Sequence, residues 1–293
     1  MIKSQQTLRD YKCHLAEDVI RSNSYLKEDT KIVLEYLKQR HKDHLYQPKE
    51  ADVILTLGGD GTMLKTIHHY SEMLREDDRH LHKLAASAAM GLERNLGLAA
   101  NNIFFGFAFG TKNFLMNDYS PDTVSRMLSG QCPIQTAKVK TMLVSVETAQ
   151  GTEEDILVIN DVVISGDAMS WIHFKGTDDE NVLGSFEGTG ICVSTAVGST
   201  AFNKNNDGVV LPLLSQNLAI TGIVTNRKII EVMHAQEFEI SFNSRTNSYI
   251  WIDGTGKKLG PFLEGTVKIK PGPWLNLGFF DTHEYQIKRR KAW

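Results

Sequence analysis

Between Asp52 and Lys65 the chain reads Asp-Val-Ile-Leu-Thr-Leu-Gly-Gly-Asp-Gly-Thr-Met-Leu-Lys, and this stretch restricts the fold more than any other. Val53, Ile54, Leu55 and Leu57 form a short, nearly unbroken apolar run. A strand buried on both faces of a parallel sheet has that pattern, because other elements cover each side. Gly58, Gly59 and Gly61 follow, and without a Cβ their backbone can turn sharply or approach a ligand closely. Met63, Leu64, Ile67, Tyr70 and Leu74 then recur at helical spacing, which predicts a helix beginning just after Thr62. A strand, a glycine turn and a helix N-terminus aim several backbone N–H groups at one point, which suits a phosphate. Asp60 stands among those donors, and its charge opposes a phosphate unless it binds a metal, accepts a hydroxyl proton or hydrogen-bonds a sugar. The plain alternative is a structural turn, since Asp and Gly are common turn residues. The full Gly-Gly-Asp-Gly-Thr string after an apolar strand narrows that alternative.

The rest of the first half alternates helix and strand signals. Residues 1–50 read as polar-faced helices, with Leu8, Tyr11, Leu15 and Val19 in one stripe and Val33, Leu37 and Leu45 in a second. Residues 75–102 begin charged and become Ala-rich, an insertion before the apolar strand Ile103–Phe109. Ser120-Pro121-Asp122 announces a helix: Ser as N-cap, Pro at the first helical position, Asp favourable to the dipole. Val124, Met127 and Leu128 give it an inward face and Gly130 is placed to end it. This order is an α/β layer arrangement.

Near Cys132-Pro133 the period changes to two. Met142, Val144 and Val146 alternate with polar neighbours, as do Ile172 with Phe174, Phe238 with Ile240 and Phe242, and Val267 with Ile269. That pattern, broken by glycines and polar turns, predicts antiparallel sheet. A chain of 293 residues is also at the size where a single core usually splits. The expected organisation is therefore an α/β domain over 1–133, a Rossmann-like parallel sheet, followed by an all-β domain over 134–270. The tail 271–293 is expected to return to the first domain.

Charge and cysteine usage exclude several classes. A net charge of -3 lacks the basic footprint that nucleic acid requires. Cys13, Cys132 and Cys192 are far apart, which fits a reducing compartment without a disulfide framework. His41, His44, His68, His69, His80 and His82 have no Cys or carboxylate pattern beside them and read as solvated helix faces, so no resident metal is expected. No apolar leader opens the chain, and Glu93, Arg94, Asn95, Asn101 and Asn102 interrupt its most apolar region, 84–110. A cytoplasmic protein without a membrane partner is expected.

Three polar clusters stand out in the β-rich half. Asn160-Asp161 lies within the apolar run Ile156–Ile164, where polar side chains are costly unless satisfied; a hydrogen-bonded turn is the alternative. Gly198, Ser199 and Thr200 combine close backbone approach with two hydroxyls suited to a ribose or phosphate, or form an ordinary loop. Asp253-Gly254 reads first as a hairpin turn.

In order along the chain, these clusters resemble the NAD kinases. That family is built around Gly-Gly-Asp-Gly-Thr, a strand with a glycine-rich exit, an Asn-Glu pair, a Ser-Thr-Pro-Thr-Gly-Ser-Thr-Ala-Tyr run and a late Asp-Gly. Here the places are held by Gly58–Thr62, Gly106–Leu115, Asn160-Asp161, Ser194–Phe202 and Asp253-Gly254. The resemblance implies transfer of the γ-phosphoryl group of ATP, carried with Mg²⁺, to the 2′-hydroxyl of NAD's adenosine ribose. It implies assembly as a homo-dimer or tetramer. It assigns Asp60 as the acceptor of the hydroxyl proton, with Gly58, Gly59, Gly61 and Thr62 holding phosphate. Asn160, Asp161 and Asp253 are assigned to nucleotide binding, with Gly198, Ser199, Thr200, Ala201 and Phe202 lining the nicotinamide side. The pocket departs from the family: Glu187-Gly188-Thr189 stands for Arg-x-Asp, Ala196 for Pro, Val197 for Thr, Phe202 for Tyr, and Thr255 for Gln. Glu187 and Thr189 are thus expected beside the pyrophosphate and carboxamide of NAD. The family's opening strand is not evident in residues 1–30. Three readings stay open: an NAD kinase, a same-fold kinase for another nucleotide, sugar or lipid hydroxyl, and a non-catalytic nucleotide binder.

Overall fold

The computed structural model describes residues 12–23, 27–71, 102–110, 113–128, 131–132, 134–167, 170–177, 183–254 and 257–281. The chain divides into two compact units: the first ends at Lys138 and is taken up again at Trp274, and the second runs from Val139 to Pro273.

The first unit is a parallel sheet covered on both faces. Its strands are β1 (Cys13–Leu15), β2 (Val53–Gly58), β3 (Ile103–Ala108) and the end of a long last strand, β12 (Lys257–Phe279), in the order β1-β2-β3-β12. All three pairings are parallel, with Val53 opposite Cys13 and Ile103, and Asn276 also opposite Ile103. Every residue of β2 is buried, as its apolar run requires. Val53, Leu55 and Leu57 share a core with Val33, Leu34 and Leu37 of α2 (Glu28–Arg40) and with Val124 and Met127 of α4 (Pro121–Leu128). The opposite face carries α3, residues 60–71, where Thr66 donates to Thr56 across the gap at 3.0 Å. A shorter helix, α1 (Glu17–Arg21), follows β1. The Ser120 cap forms as the sequence indicates: its hydroxyl accepts the Thr123 N–H at 3.0 Å and Pro121 opens the helix.

Two expectations are corrected. Leu15 belongs to a strand and not to a helical stripe, and β1 supplies the opening strand that residues 1–30 did not reveal. Three residues, Cys-His-Leu, are too few to show a period; their pairing with β2 decides their conformation. The helix of the glycine turn starts at Asp60 and not after Thr62, because apolar spacing marks only the buried turns. The stretch 75–101 and the tail from 282 lie outside the described residues.

The second unit is an antiparallel sheet. Its strands are β4 (Gln135–Thr148), β5 (Gly151–Val158), β6 (Asp161–Gly166), β7 (Ile172–Thr177), β8 (Ser185–Ser194), β9 (Asn217–Thr225), β10 (Ile230–His234), β11 (Phe238–Ile252) and the first part of β12. The order is β10-β9-β8, then β6 and β7 end to end, then β11-β12-β4-β5. Met142 and Val144 from one end of that order share a core with Ile220 and Met233 from the other, so the sheet rolls around one apolar interior. A single turn of helix, α5 (Phe202–Asn205), interrupts the strands after β8.

Candidate active site

In the first unit the site is built at the exit of β2. Gly59 caps α3: its carbonyl accepts the N–H groups of Thr62 at 2.9 Å and Met63 at 3.1 Å. The N–H groups of Asp60 and Gly61 precede any intrahelical partner and are the donors this terminus can offer to an anion. Thr62 is otherwise placed. It is buried, its amide is held by Gly59, and its hydroxyl accepts from Asn23 at 3.2 Å. Gly58 is needed for that packing, since a Cβ there would lie 2.4 Å from the Thr62 hydroxyl oxygen.

Asp60 is held from the neighbouring strand exit. Its Oδ2 accepts the Phe114 N–H at 3.0 Å and its Oδ1 accepts the Leu115 N–H at 2.8 Å. Asn117 fixes that loop: its amide donates to the carbonyls of Gly106 and Gly278, both at 3.1 Å, and its oxygen accepts the Phe280 N–H. Burial pushes the Asp60 carboxyl up to about 6, against the two amides, which favour the charged form. Each oxygen keeps a second lone pair, so the carboxylate can still accept a proton. The Phe114 and Leu115 amides carry no side-chain signal, and only the fold brings them to Asp60.

In the second unit three segments converge. Asn160 sits in the turn between β5 and β6, Gly198 opens a 3₁₀ turn after β8, and Asp253 begins the turn that follows β11. The Asp253 carboxylate is buried and accepts three consecutive amides: Ile159 at 2.9 Å, Asn160 at 2.6 Å and Asp161 at 3.0 Å. Asp253 and Gly254 have φ of 53° and 59°, the left-handed pair of a tight hairpin turn. Thr195, which sequence reasoning left unassigned, ties the other side together. Its hydroxyl donates to the Ile159 carbonyl and accepts the N–H groups of Val197 at 3.1 Å and Gly198 at 3.3 Å. The Asn160 carbonyl accepts from Thr195 N at 2.8 Å and from the Ser194 hydroxyl.

Asn160 Oδ1 is buried without a hydrogen-bond partner. An orphan acceptor of this kind costs about 1–3 kcal/mol and marks a place where a ligand donor can be received. Asp161 beside it is buried, and its carboxyl is pushed up to about 7, first by burial and then by the charge of Asp253.

The other expected residues divide. Phe202 is 40% exposed and Thr200 and Ala201 are partly exposed, so all three are open to a ligand. Val197 is buried. Ser199 turns inward: its hydroxyl donates to Ala196 at 2.9 Å and accepts the Leu211 N–H at 2.9 Å. Glu187 and Thr189 are not brought to the Asn160 cluster. Asp161 is paired with Ser194, seven residues further along β8 than Glu187, a span of about 20 Å at the rise of a strand. Glu187 instead meets His173 on β7 at 2.8 Å, on a polar sheet face that forms a cleft of about 750 Å³ with Glu147, Lys175 and Glu264. The Thr189 hydroxyl donates to the Ile223 carbonyl at 2.9 Å. Among the described residues no cluster of three or more His, Cys, Asp or Glu could hold a metal ion, and no helix is long and apolar enough to cross a membrane.

An α/β region with a carboxylate in its glycine turn, followed by a β-rich region, has the fold of the NAD kinases. The chain is similar to yeast NADH kinase complexed with NADH (TM-score 0.65, 14% identity, 99% of this chain and 87% of that one). It is also similar to an Archaeoglobus fulgidus NAD kinase in complex with ATP (TM-score 0.59, 15% identity, 91% and 96%). In sequence it is 35% identical over 179 residues to an NAD kinase of Rhizorhabdus wittichii, covering 60% of this chain and 58% of that protein. With the NAD kinase of Xanthomonas campestris pv. campestris it shares 29% over 192 residues, 65% and 63% of the two chains. In sequence over about three fifths of its length, and in fold over nearly all of it, the chain is similar to the NAD kinases. The matched part spans about three fifths of the length of these curated relatives. No family model matches the chain.

Proposed function

We propose that the protein is an NAD kinase, transferring the γ-phosphoryl group of Mg-ATP to the 2′-hydroxyl of the adenosine ribose of NAD. The observation that carries this reading is Asp60: a partly desolvated carboxyl at a helix N-terminus, oriented by two amides and raised to about 6. A base with its pKa near the working pH is suited to taking a proton from a hydroxyl nucleophile, a contribution of roughly 10²–10⁴-fold in rate. The Asp60 and Gly61 amides supply donors for phosphate oxygens. Mg²⁺ enters with ATP as substrate and neutralises phosphate charge. Asn160, through its unpartnered oxygen, and Asp161 recognise the adenosine end of the acceptor. Thr200, Ala201 and Phe202 line the pocket beyond, with Phe202 as an aromatic wall.

A second reading, a same-fold kinase for another hydroxyl, draws support from Glu187, which stands where the resemblance expects Arg. It is paired with His173 away from the Asn160 cluster, so the expected cation for a pyrophosphate is missing from that position. The experiment is an incubation with Mg-ATP and NAD, NADH or adenosine nucleotides, with NADP(H) and ADP quantified. NADP formed at a rate that scales with enzyme supports the reading. NAD bound without turnover, or ADP formed only with a different acceptor, overturns it.

A further inference from the structure

Asp253 has the placement of a ligand contact in the sequence, yet its carboxylate faces the protein. The three consecutive amides it accepts belong to the turn that carries Asn160, and its own N–H donates to the Asp161 carbonyl at 2.8 Å. Successive N–H groups converging on one point form an anion-binding concavity, and here the anion is the protein's own side chain. Hydrogen bonds to a charged acceptor are about twice as strong as neutral ones, so the turn is held from below with little freedom. From above it is held by Thr195 and by the close backbone approach of Gly198. Between these two clamps the Asn160 side chain keeps its oxygen buried and unpartnered, which an unrestrained turn would relieve by rotating toward water.

We infer that Asp253 is a positioning residue for nucleotide recognition: it does not touch the nucleotide but fixes the Asn160 turn so that the Asn160 amide faces the acceptor. The inference rests on the NAD kinase reading for the identity of the ligand, not for the clamp itself. Asp253→Asn is the informative change. Asn tolerates the left-handed backbone of this position and keeps one acceptor oxygen for the Oδ1 place. It removes the negative charge that strengthens all three hydrogen bonds, and it sets an NH₂ donor at the Oδ2 place, against the Ile159 N–H.

Two measurements test it. In the free protein, hydrogen exchange of Asp253→Asn is expected to lose protection at Ile159, Asn160 and Asp161 while Ile240 in the core stays protected. In calorimetry with NAD, the affinity is expected to fall about tenfold or more. The double variant with Asn160→Ala is expected to bind no more weakly than the weaker single variant, because both act through one side chain. If Asp253→Asn does not fold, Asp253→Ser, whose hydroxyl still accepts one N–H, gives the same pattern at smaller amplitude. Unchanged protection at the turn, or additive losses in the double variant, overturns the inference. The exchange pattern in Asp253→Asn together with no affinity of the wild-type protein for NAD would instead overturn the NAD reading and leave the clamp standing.

Discussion

Gly198 and Asn160 are in direct backbone contact: a Cβ on Gly198 would lie 2.3 Å from the Asn160 carbonyl oxygen and 2.6 Å from its Cα. The glycine of the Gly-Ser-Thr loop therefore admits a neighbouring strand turn, where the sequence indicated close approach to a ligand. Backbone cannot move aside as a flexible side chain can, so Gly198→Ala must displace one of the two segments. We expect it to cost about 1–3 kcal/mol of stability, the range for overpacking a tight site. It should also weaken nucleotide affinity through the displaced turn. Urea unfolding and calorimetry on the same preparation check both, and an alanine variant with wild-type values in each would remove the contact from the argument.

Asp60→Asn separates binding from chemistry. Asn keeps the shape and one acceptor oxygen, but it cannot take a proton. Turnover should fall by roughly 10²-fold or more, while dinucleotide affinity stays within a few-fold. Because burial holds the Asp60 carboxyl at about 6, the wild-type rate should also decline as pH drops through 6, with the carboxyl becoming protonated. Near-normal turnover in the variant, or a wild-type rate flat from pH 5 to 8, would remove Asp60 as the base.

How far the sequence could be followed depended on whether a residue's role is local. The β2 strand, its glycine turn and the Ser120 cap were legible because periodicity and cap chemistry act within a few residues. The β1 strand was not, since three residues carry no period and only pairing with β2 defines them. Ser199 and Asp253 were legible as special positions but not in direction. A hydroxyl or carboxylate faces ligand or backbone according to tertiary neighbours, and here both face backbone. Glu187 was placed by the resemblance alone, and no local pattern shows that an extended strand carries it about 20 Å from the end of β8 that meets Asp161.

Asp161 should make stability depend on pH. Its carboxyl is raised to about 7 in the folded chain, by burial and by Asp253, against about 3.9 when unfolded. Between those values the native state holds a proton that the unfolded chain has released, so stability falls as pH rises through that window. Asp161→Asn removes this contribution. The melting temperature of the variant relative to wild type should thus rise progressively from pH 4.5 to pH 8. Thermal unfolding at matched ionic strength measures the difference, and a constant offset across the range would contradict it.

Asn160→Ala should move stability and binding in opposite directions. In the free protein Asn160 Oδ1 is a buried acceptor without a partner, so truncating the side chain removes an unfavourable burial and little else. The clamp on the turn is made by its backbone N–H and carbonyl, which alanine retains. Stability is therefore expected to hold or to rise by up to about 1 kcal/mol. The bound state differs, because the nucleotide donor that the oxygen receives is left unpaired in a desolvated site. That loss is about 1–3 kcal/mol, or roughly 5–150-fold in NAD affinity. A residue serving only the fold would give the reverse pattern, with stability lost and affinity following it. Differential scanning calorimetry paired with NAD titration distinguishes the two, and unchanged affinity alongside lower stability would return Asn160 to a structural role.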